Sequence, residues 1–398
     1  QDYFRQKTST QTYIISRIHI RKMKNTSSLF EMNYKNWRTD GTPTPDISIG
    51  KKYLVKADIS KCFPSIYSHA ISWALVSKDT AKSKNNDSSF WCNILDKAIT
   101  NEKNGETHGL LIGPYTSNLL SEIILCAIDY NLCSKWNYIR NIDDYSCYVD
   151  TMDEANEFLI ELNHHLKSYG LSLNHKKTEI YELPIGEVEQ WVHQIQHRIV
   201  YFEKFKPYVD YNEVQEFIDF CIELMSNNKE NASILFFAIK VLSRHTLTPN
   251  AKSYVVKKFI LLSLIYPYIV PLLEEYVFTP FISIKSEIEK YINMIYDHYL
   301  PKNYYESVAY ALYLAAKYKL SIFSFDINII ISKNDCILLL CSLIYCRSQK
   351  MNSELEVLKN YAKTLKNNKE MNEFWPFIYE CLTVGLLTEN WKNLKKAS

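Results

Sequence analysis

The chain has little glycine, and what it has is unevenly placed. Of 398 residues only 8 are glycine, and seven of them (Gly41, Gly50, Gly105, Gly109, Gly113, Gly170 and Gly186) precede residue 187. Glycine serves tight turns and close approach of backbone to a ligand, so chemistry is expected in the first half. Cysteines number 10 but form no CxxC pair, which argues against zinc and for reduced thiols in the cytoplasm. No Walker-type phosphate loop occurs. No uncharged run is long enough for a membrane span. The longest considered, Phe259 to Leu273, has 15 residues and contains Pro267 and Pro271, whereas a spanning helix needs about 20 apolar residues. A buried helix pair is expected there, and no membrane partner. No secretory leader is visible. The first residue is Gln1, so part of the natural N-terminus is expected to be missing.

What is present is a divided charge. Residues 1–56 hold 11 Lys/Arg against 4 Asp/Glu, and residues 57–186 hold 11 against 17. A basic arm beside an acidic block suits phosphate handling next to metal-binding carboxylates. Hydrophobic residues at 47% can fill more than one core at this length.

Residues 1–186 mix strand and helix signals, and 187–398 read as helix throughout. Tyr53–Ile59 has the composition of a strand. A helix is expected from about Pro64, since proline suits a first turn. Others are expected over Thr116–Tyr130 and Glu154–Tyr169. Tyr138–Ile142 and Tyr145–Val149 are β-prone runs that flank Asp143-Asp144, as in a hairpin. Later segments near 211–226, 230–245, 251–265, 285–299, 303–319, 335–348, 353–367 and 371–387 carry apolar residues at helical spacing, the pattern of stacked helix pairs.

Asp58 ends the first strand, and Asp143-Asp144 follows 85 residues later at a hairpin tip. Phosphoryl transfer by two-metal chemistry needs hard oxygen ligands converging on two cations about 3.5–4 Å apart. Laying the hairpin beside the strand would gather three carboxylates. Taken singly, an aspartate after a strand is more often a turn residue or helix cap, and a DD pair is often a turn. Their order, spacing and flanks are what single them out.

Those flanks carry a resemblance. Ala57-Asp58-Ile59-Ser60-Lys61-Cys62-Phe63 resembles motif A of reverse transcriptases. Thr107–Asn118, with Gly109 and Gly113, resembles motif B, although Leu111 and Ile112 replace its usual proline and glutamine. Arg140-Asn141-Ile142-Asp143-Asp144 resembles motif C, with Asn141 in place of an aromatic. Gly170–Thr178 is similar to motif D.

The resemblance implies that Asp58, Asp143 and Asp144, with the Ile59 carbonyl, bind two magnesium ions, manganese being an alternative. It implies that Phe63 crowds the sugar 2′ face, that Gly109, Gly113 and Ser117 approach the nucleotide, and that Lys177 serves the leaving pyrophosphate. Phe63 as core filler, Ser117 as a plain helix cap and Lys177 as a solvated lysine stay open. Arg17, Arg21, Lys22 and Lys24, near the β-prone stretch Thr12–Ile20, would clasp the triphosphate or form an ordinary solvated cluster.

The strings Arg17–Asn25, Phe30–Tyr34 and Glu106–Gly109 resemble the abortive-infection (Abi) reverse transcriptases of bacterial phage defence. That likeness implies an α+β fingers-palm domain over 1–186 and an all-α HEAT-like repeat domain over 187–398 in place of a thumb. It also implies dNTP polymerisation without a template, single-stranded DNA product attached to a priming tyrosine, and a homo-oligomer, trimer or hexamer. None of the 30 tyrosines is singled out as the primer. The rival expectations are a conventional RNA-templated enzyme and a catalytically silent helical scaffold.

Overall fold

The computed structural model describes residues 2–22, 30–33, 41–186, 190–205, 208–228, 230–367 and 371–388. They form two compact units, Gln1–Glu187 and Val188–Ser398.

The first unit is built on a four-stranded sheet of order β4-β5-β3-β6, from β3 (Tyr53–Asp58), β4 (Tyr138–Asn141), β5 (Asp144–Val149) and β6 (Glu179–Glu182), with every neighbouring pair antiparallel. Alternation of side chains sorts the faces. Val55, Ala57, Tyr145, Cys147 and Val149 are buried in the core that also contains Ile124 and Ile128 of α7 (Tyr115–Leu132) and Phe158 and Leu162 of α8 (Met152–Ser168). Leu54, Lys56 and Asp58 lie on the opposite face, across from Tyr148, Ser146 and Asp144. Two helices thus cover one side of the sheet, and the aspartates point from the other.

Local chemistry explains the boundaries. Helix α8 begins on a capping box in which the Thr151 hydroxyl accepts from the Glu154 amide and the Glu154 carboxylate accepts from the Thr151 amide. The helix expected from about Pro64 is instead two, α3 (Cys62–Ser65) and α4 (Ser68–Val76). Ile66 and Tyr67 turn extended because they pair with the glycine loop: the Gly109 amide donates to the Ile66 carbonyl and the Ser68 amide to the Thr107 carbonyl, both at 2.8 Å. A local proline signal gives way to a nonlocal backbone pairing. Helices α1 (Asp2–Thr8), α2 (Thr44–Ser48), α5 (Lys78–Ser83) and α6 (Trp91–Asn101) and an antiparallel strand pair, β1 (His19–Lys22) with β2 (Phe30–Asn33), complete the described part of the unit.

The second unit is helical. All eight segments expected from periodicity carry helix: α10 (Tyr211–Asn227), α11 (Ala232–Leu242), α12 (Pro249–Ile265), α14 (Lys285–Tyr299), α15 (Tyr305–Tyr318), α17 (Cys336–Gln349), α18 (Asn352–Asn367) and α19 (Met371–Thr383). Helices α9 (Gln190–Phe205), α13 (Thr279–Phe281) and α16 (Ile327–Ser332) are additional. Burial follows the period; on α10, Val214, Phe217, Ile218, Cys221, Leu224 and Met225 form the inner stripe. The apolar run 259–273 is the end of α12 followed by a 3-10 turn, Pro267–Leu272, where two prolines remove amide donors. No helix among the described residues is long and apolar enough to cross a membrane. Helix α15 packs on α14 and α17, and α17 on α18 and α19. All 10 cysteines are free thiols.

The sheet depends on one aromatic seat. Phe158 is fully buried, with its ring 5.6 Å from that of Trp136 and 5.8 Å from that of Tyr138. Replacing Phe158 by Ala should cost about 3–5 kcal/mol of stability, read from the denaturant midpoint of the whole chain.

Candidate active site

The strand end at 58 and the hairpin tip at 143–144 meet. Asp58 and Asp144 are directly paired across β3 and β5, and the Ile59 amide donates to the Asp143 carbonyl at 3.2 Å. The turn between β4 and β5 is two residues, Ile142 and Asp143. Ile142 has φ +55°, a conformation costly for a β-branched residue. What holds it is visible below: Arg140 Nη1 donates to the Ile142 carbonyl at 2.9 Å.

Arg140 was not singled out from the sequence as a working residue. Its side chain is fully buried, and its guanidinium spans two acids. Nη1 and Nη2 reach the two oxygens of Glu122 at 3.0 and 2.9 Å, while Nε and Nη2 reach Asp129 Oδ2 at 3.0 and 2.6 Å. The Tyr138 hydroxyl adds a 2.9 Å bond to Asp129. Burial alone would weaken the Arg140 cation, but Asp129 and Glu122 outweigh it and hold it firmly charged. Burial pushes the Asp129 carboxyl up, against the pull of Arg140. The signal available in sequence was Glu122 and Asp129, seven apart and the only charged residues of α7.

The aspartates carry the cost of their proximity. Loss of hydration raises Asp143, with the Asp58 charge adding to it. Asp144 is pushed up to about 6 by loss of hydration and by the charges of Asp143 and Asp58. Asp144 is exposed as a residue, so the neighbouring charges act on it beside its partial burial. Asp58 is only 7% exposed. Its oxygens are engaged by Lys177 Nζ at 3.4 Å and Asn174 Nδ2 at 2.8 Å, and its carbonyl accepts from the Asn174 amide.

Among the described residues no three His, Cys, Asp or Glu side chains converge closely enough to form a ready-made metal cage. The donor set nevertheless fits a hard divalent cation. Three carboxylates on neighbouring strand ends face one ammonium, and two of them are driven toward protonation, the condition a cation would relieve.

The other expected residues are distributed around this point. Gly109 has φ +87°, and a Cβ there would meet the Pro64 carbonyl oxygen at 3.1 Å, so glycine is needed where the loop crosses the turn after β3. Gly113 has φ +119° in an exposed loop with Leu111 and Ile112. Ser117 is buried in the first turn of α7, where Pro114 is the cap residue, which removes its reading as a helix cap. Phe63 is half-buried against the core, and its carbonyl accepts from the Leu110 amide at 2.8 Å. Lys177 is exposed except for its contact with Asp58. Arg17, expected in a triphosphate clasp, is instead buried, with Nη2 on the Gly41 carbonyl at 2.7 Å. Its backbone explains why: the Arg17 amide pairs with the Arg140 carbonyl and turns the side chain inward beside β4. Arg21 and Lys22 lie on β1, with side chains outside the described residues, as Lys24 is altogether.

An antiparallel sheet that brings an aspartate-ended strand against an aspartate-tipped hairpin defines a carboxylate site on an open sheet face. Residues 8–220 match the reverse transcriptase (RNA-dependent DNA polymerase) family, more than half of the chain, and the chain belongs to that family. No curated protein matches it in sequence. Among solved structures it is similar to apo telomerase from Candida tropicalis (11% identity, TM-score 0.28, 80% of this chain and 54% of that one). It is also similar to telomerase from Candida albicans in complex with the TWJ fragment of telomeric RNA (11% identity, TM-score 0.26, 75% and 49%). The chain thus spans about half the length of those it resembles, at scores too low to bear on function.

Two tests follow from this geometry. Arg140→Met leaves two buried carboxylates unpaired and should cost about 3–5 kcal/mol in denaturant unfolding, most of it recovered when Glu122→Gln and Asp129→Asn are added. For Asp144, the folded state keeps its proton up to about 6, whereas the unfolded carboxyl loses it near 4. Stability therefore falls as pH rises through that window. In chelator at a pH of about 7.5, Asp144→Asn should unfold at higher denaturant than the unsubstituted protein, with the advantage gone at about pH 4.

Proposed function

We propose that this chain is a DNA-polymerising nucleotidyltransferase of the abortive-infection type, which adds dNTPs at Asp58, Asp143 and Asp144 without a template and acts in phage defence. The observation that carries the catalytic part is the pairing of Asp58 with Asp144, locked by the Ile59 amide on the Asp143 carbonyl. Membership of the reverse transcriptase family supports the reaction class.

In this reading Asp58, Asp143, Asp144 and the Ile59 carbonyl would hold two magnesium ions, or manganese. When bound, these supply Lewis-acid stabilisation of the charge on the transferring phosphate. The protein's own part is positioning. Backbone freed by Gly109 and Gly113 approaches the base or sugar of the dNTP, Ser117 is assigned to the same nucleotide contact, and Phe63 bounds the sugar's 2′ face. A primer hydroxyl held at the hairpin tip attacks the α-phosphate in line. Lys177, beside Asp58, delivers a proton or its charge to the departing pyrophosphate. Arg21 and Lys22 are assigned to the triphosphate clasp.

Template independence is supported by what surrounds the aspartates. The glycine loop presents exposed Leu111 and Ile112, and Asn141 stands exposed beside the hairpin tip. These departures from the family pattern fall where a template-paired nucleotide and primer end would be contacted. The first hydroxyl is assigned to a tyrosine of this chain, giving single-stranded DNA covalently attached to protein. A homo-oligomer, trimer or hexamer, and a HEAT-like pairing of helices α9–α19 belong to the same proposal, as does a cytoplasmic location. The second reading, RNA-templated synthesis, is favoured by the family's description as RNA-dependent.

Nuclease-treated protein supplied with single dNTPs and magnesium should build DNA that stays with the protein through denaturing electrophoresis. Asp143→Ala with Asp144→Ala should reduce incorporation by at least about 10³-fold. Incorporation only after addition of an RNA template and primer would give the second reading. Full activity in the double variant would remove the aspartates from the chemistry.

A further inference from the structure

A second cluster of functional groups lies between α4 and α6, away from the aspartates. Asn93, Asp96, Lys97 and Thr100 are spaced as one stripe along α6, and with His69, Ser72 and Trp73 of α4 they line a cavity of about 560 Å³. Two helices in contact ordinarily meet through apolar stripes, and burying polar groups between them is unfavourable unless each finds a partner.

One atom there has none. His69 Nδ1 is hydrogen-bonded to Asp96 Oδ2, while Asp96 Oδ1 is buried with no hydrogen-bond partner among the described residues. A buried carboxylate oxygen left bare is unfavourable, so its natural complement brings an N–H or O–H donor. The rest of the cavity names two further requirements. Tyr67 contributes an aromatic wall with His69 and Trp73, at ring separations of 4.6 and 5.8 Å. Exposed Lys82 and Lys97 stand at the rim and favour an anion.

A donor, a flat ring and an anionic group in one small molecule describe a nucleoside phosphate. We propose that this cavity is a second nucleotide site, distinct from the aspartate cluster, which binds a free nucleoside monophosphate. Asp96, whose side chain is 17% exposed, turns Oδ1 toward a base or sugar donor, the ring lies along Tyr67, and the phosphate meets Lys82 and Lys97. His69 holds the carboxylate in place through Nδ1 and keeps Nε2 for the ligand. The site is joined to the glycine loop, since Thr107 lines the cavity, the Ser68 amide donates to the Thr107 carbonyl, and Tyr67 is bridged to His108 one residue before Gly109. Occupancy therefore reaches the loop that approaches the nucleotide at the aspartates.

The test is calorimetric titration of the whole chain with AMP in excess chelator, which removes the divalent cations required at the aspartate cluster. Saturable binding is expected, unchanged by Asp143→Ala with Asp144→Ala and weakened by about tenfold or more in Asp96→Asn. Lys82→Glu with Lys97→Glu alters only exposed side chains, leaves the fold intact, and should weaken binding by at least about tenfold. Absence of saturable binding into the millimolar range, or binding as in the unsubstituted protein by both Asp96→Asn and the lysine variant, overturns the site. Tighter binding of a short oligoadenylate than of AMP, lost in Asp96→Asn, overturns the free nucleotide as its occupant. None of these results depends on whether the chain polymerises DNA.

Discussion

Repulsion among three carboxylates is the constraint around which the first unit is organised. Left to themselves, Asp58, Asp143 and Asp144 would move apart; loss of hydration and the neighbouring charges together raise the proton affinities of Asp143 and Asp144. Backbone pairing prevents it: β3 and β5 are in register from Tyr53 opposite Val149 to Asp58 opposite Asp144, and that register is set by a buried face that cannot slip by one residue. The hairpin turn is held in turn by Arg140, whose place under the sheet depends on Glu122 and Asp129 of α7. A charged site on one face thus rests on a second set of charges beneath the other, and the second set is fully paired so that the first need not be.

This arrangement accounts for the unusual backbone beside the aspartates. Ile142 tolerates a positive φ because its carbonyl has a buried guanidinium donor, and Gly109 is small because the Pro64 carbonyl lies against it. Both positions flank the aspartates. The second unit is made from helices whose apolar stripes follow the 3.6-residue period.

Much of this was legible in the residues. Strand β3, the hairpin around 143–144, α7, α8 and eight helices of the second unit follow from periodicity and turn chemistry alone, and the order of the aspartates made their meeting a reasonable expectation. The interruption of the helix near Pro64 was not legible, because it arises from pairing with residues 107–109, some forty positions away. Arg17 reads as one of a basic cluster, yet the edge pairing of its backbone with Arg140 carries it inward. The Arg140 network was hidden for the opposite reason: an arginine before a DD pair looks like a surface charge until α7 supplies two acids from beneath. Helix α9, amphipathic but flanked by weak punctuation, and the short α16 were missed for lack of strong boundary signals.

The claim that bears the most weight is that the three aspartates form a cation site and are more than a crowded turn. Crystals soaked in manganese and measured at an energy where manganese scatters anomalously would test it most directly. The account predicts anomalous density between Asp58 and the Asp143–Asp144 tip, with the Lys177 ammonium displaced from Asp58. Density only elsewhere, or none with the ion at saturating concentration, would contradict it.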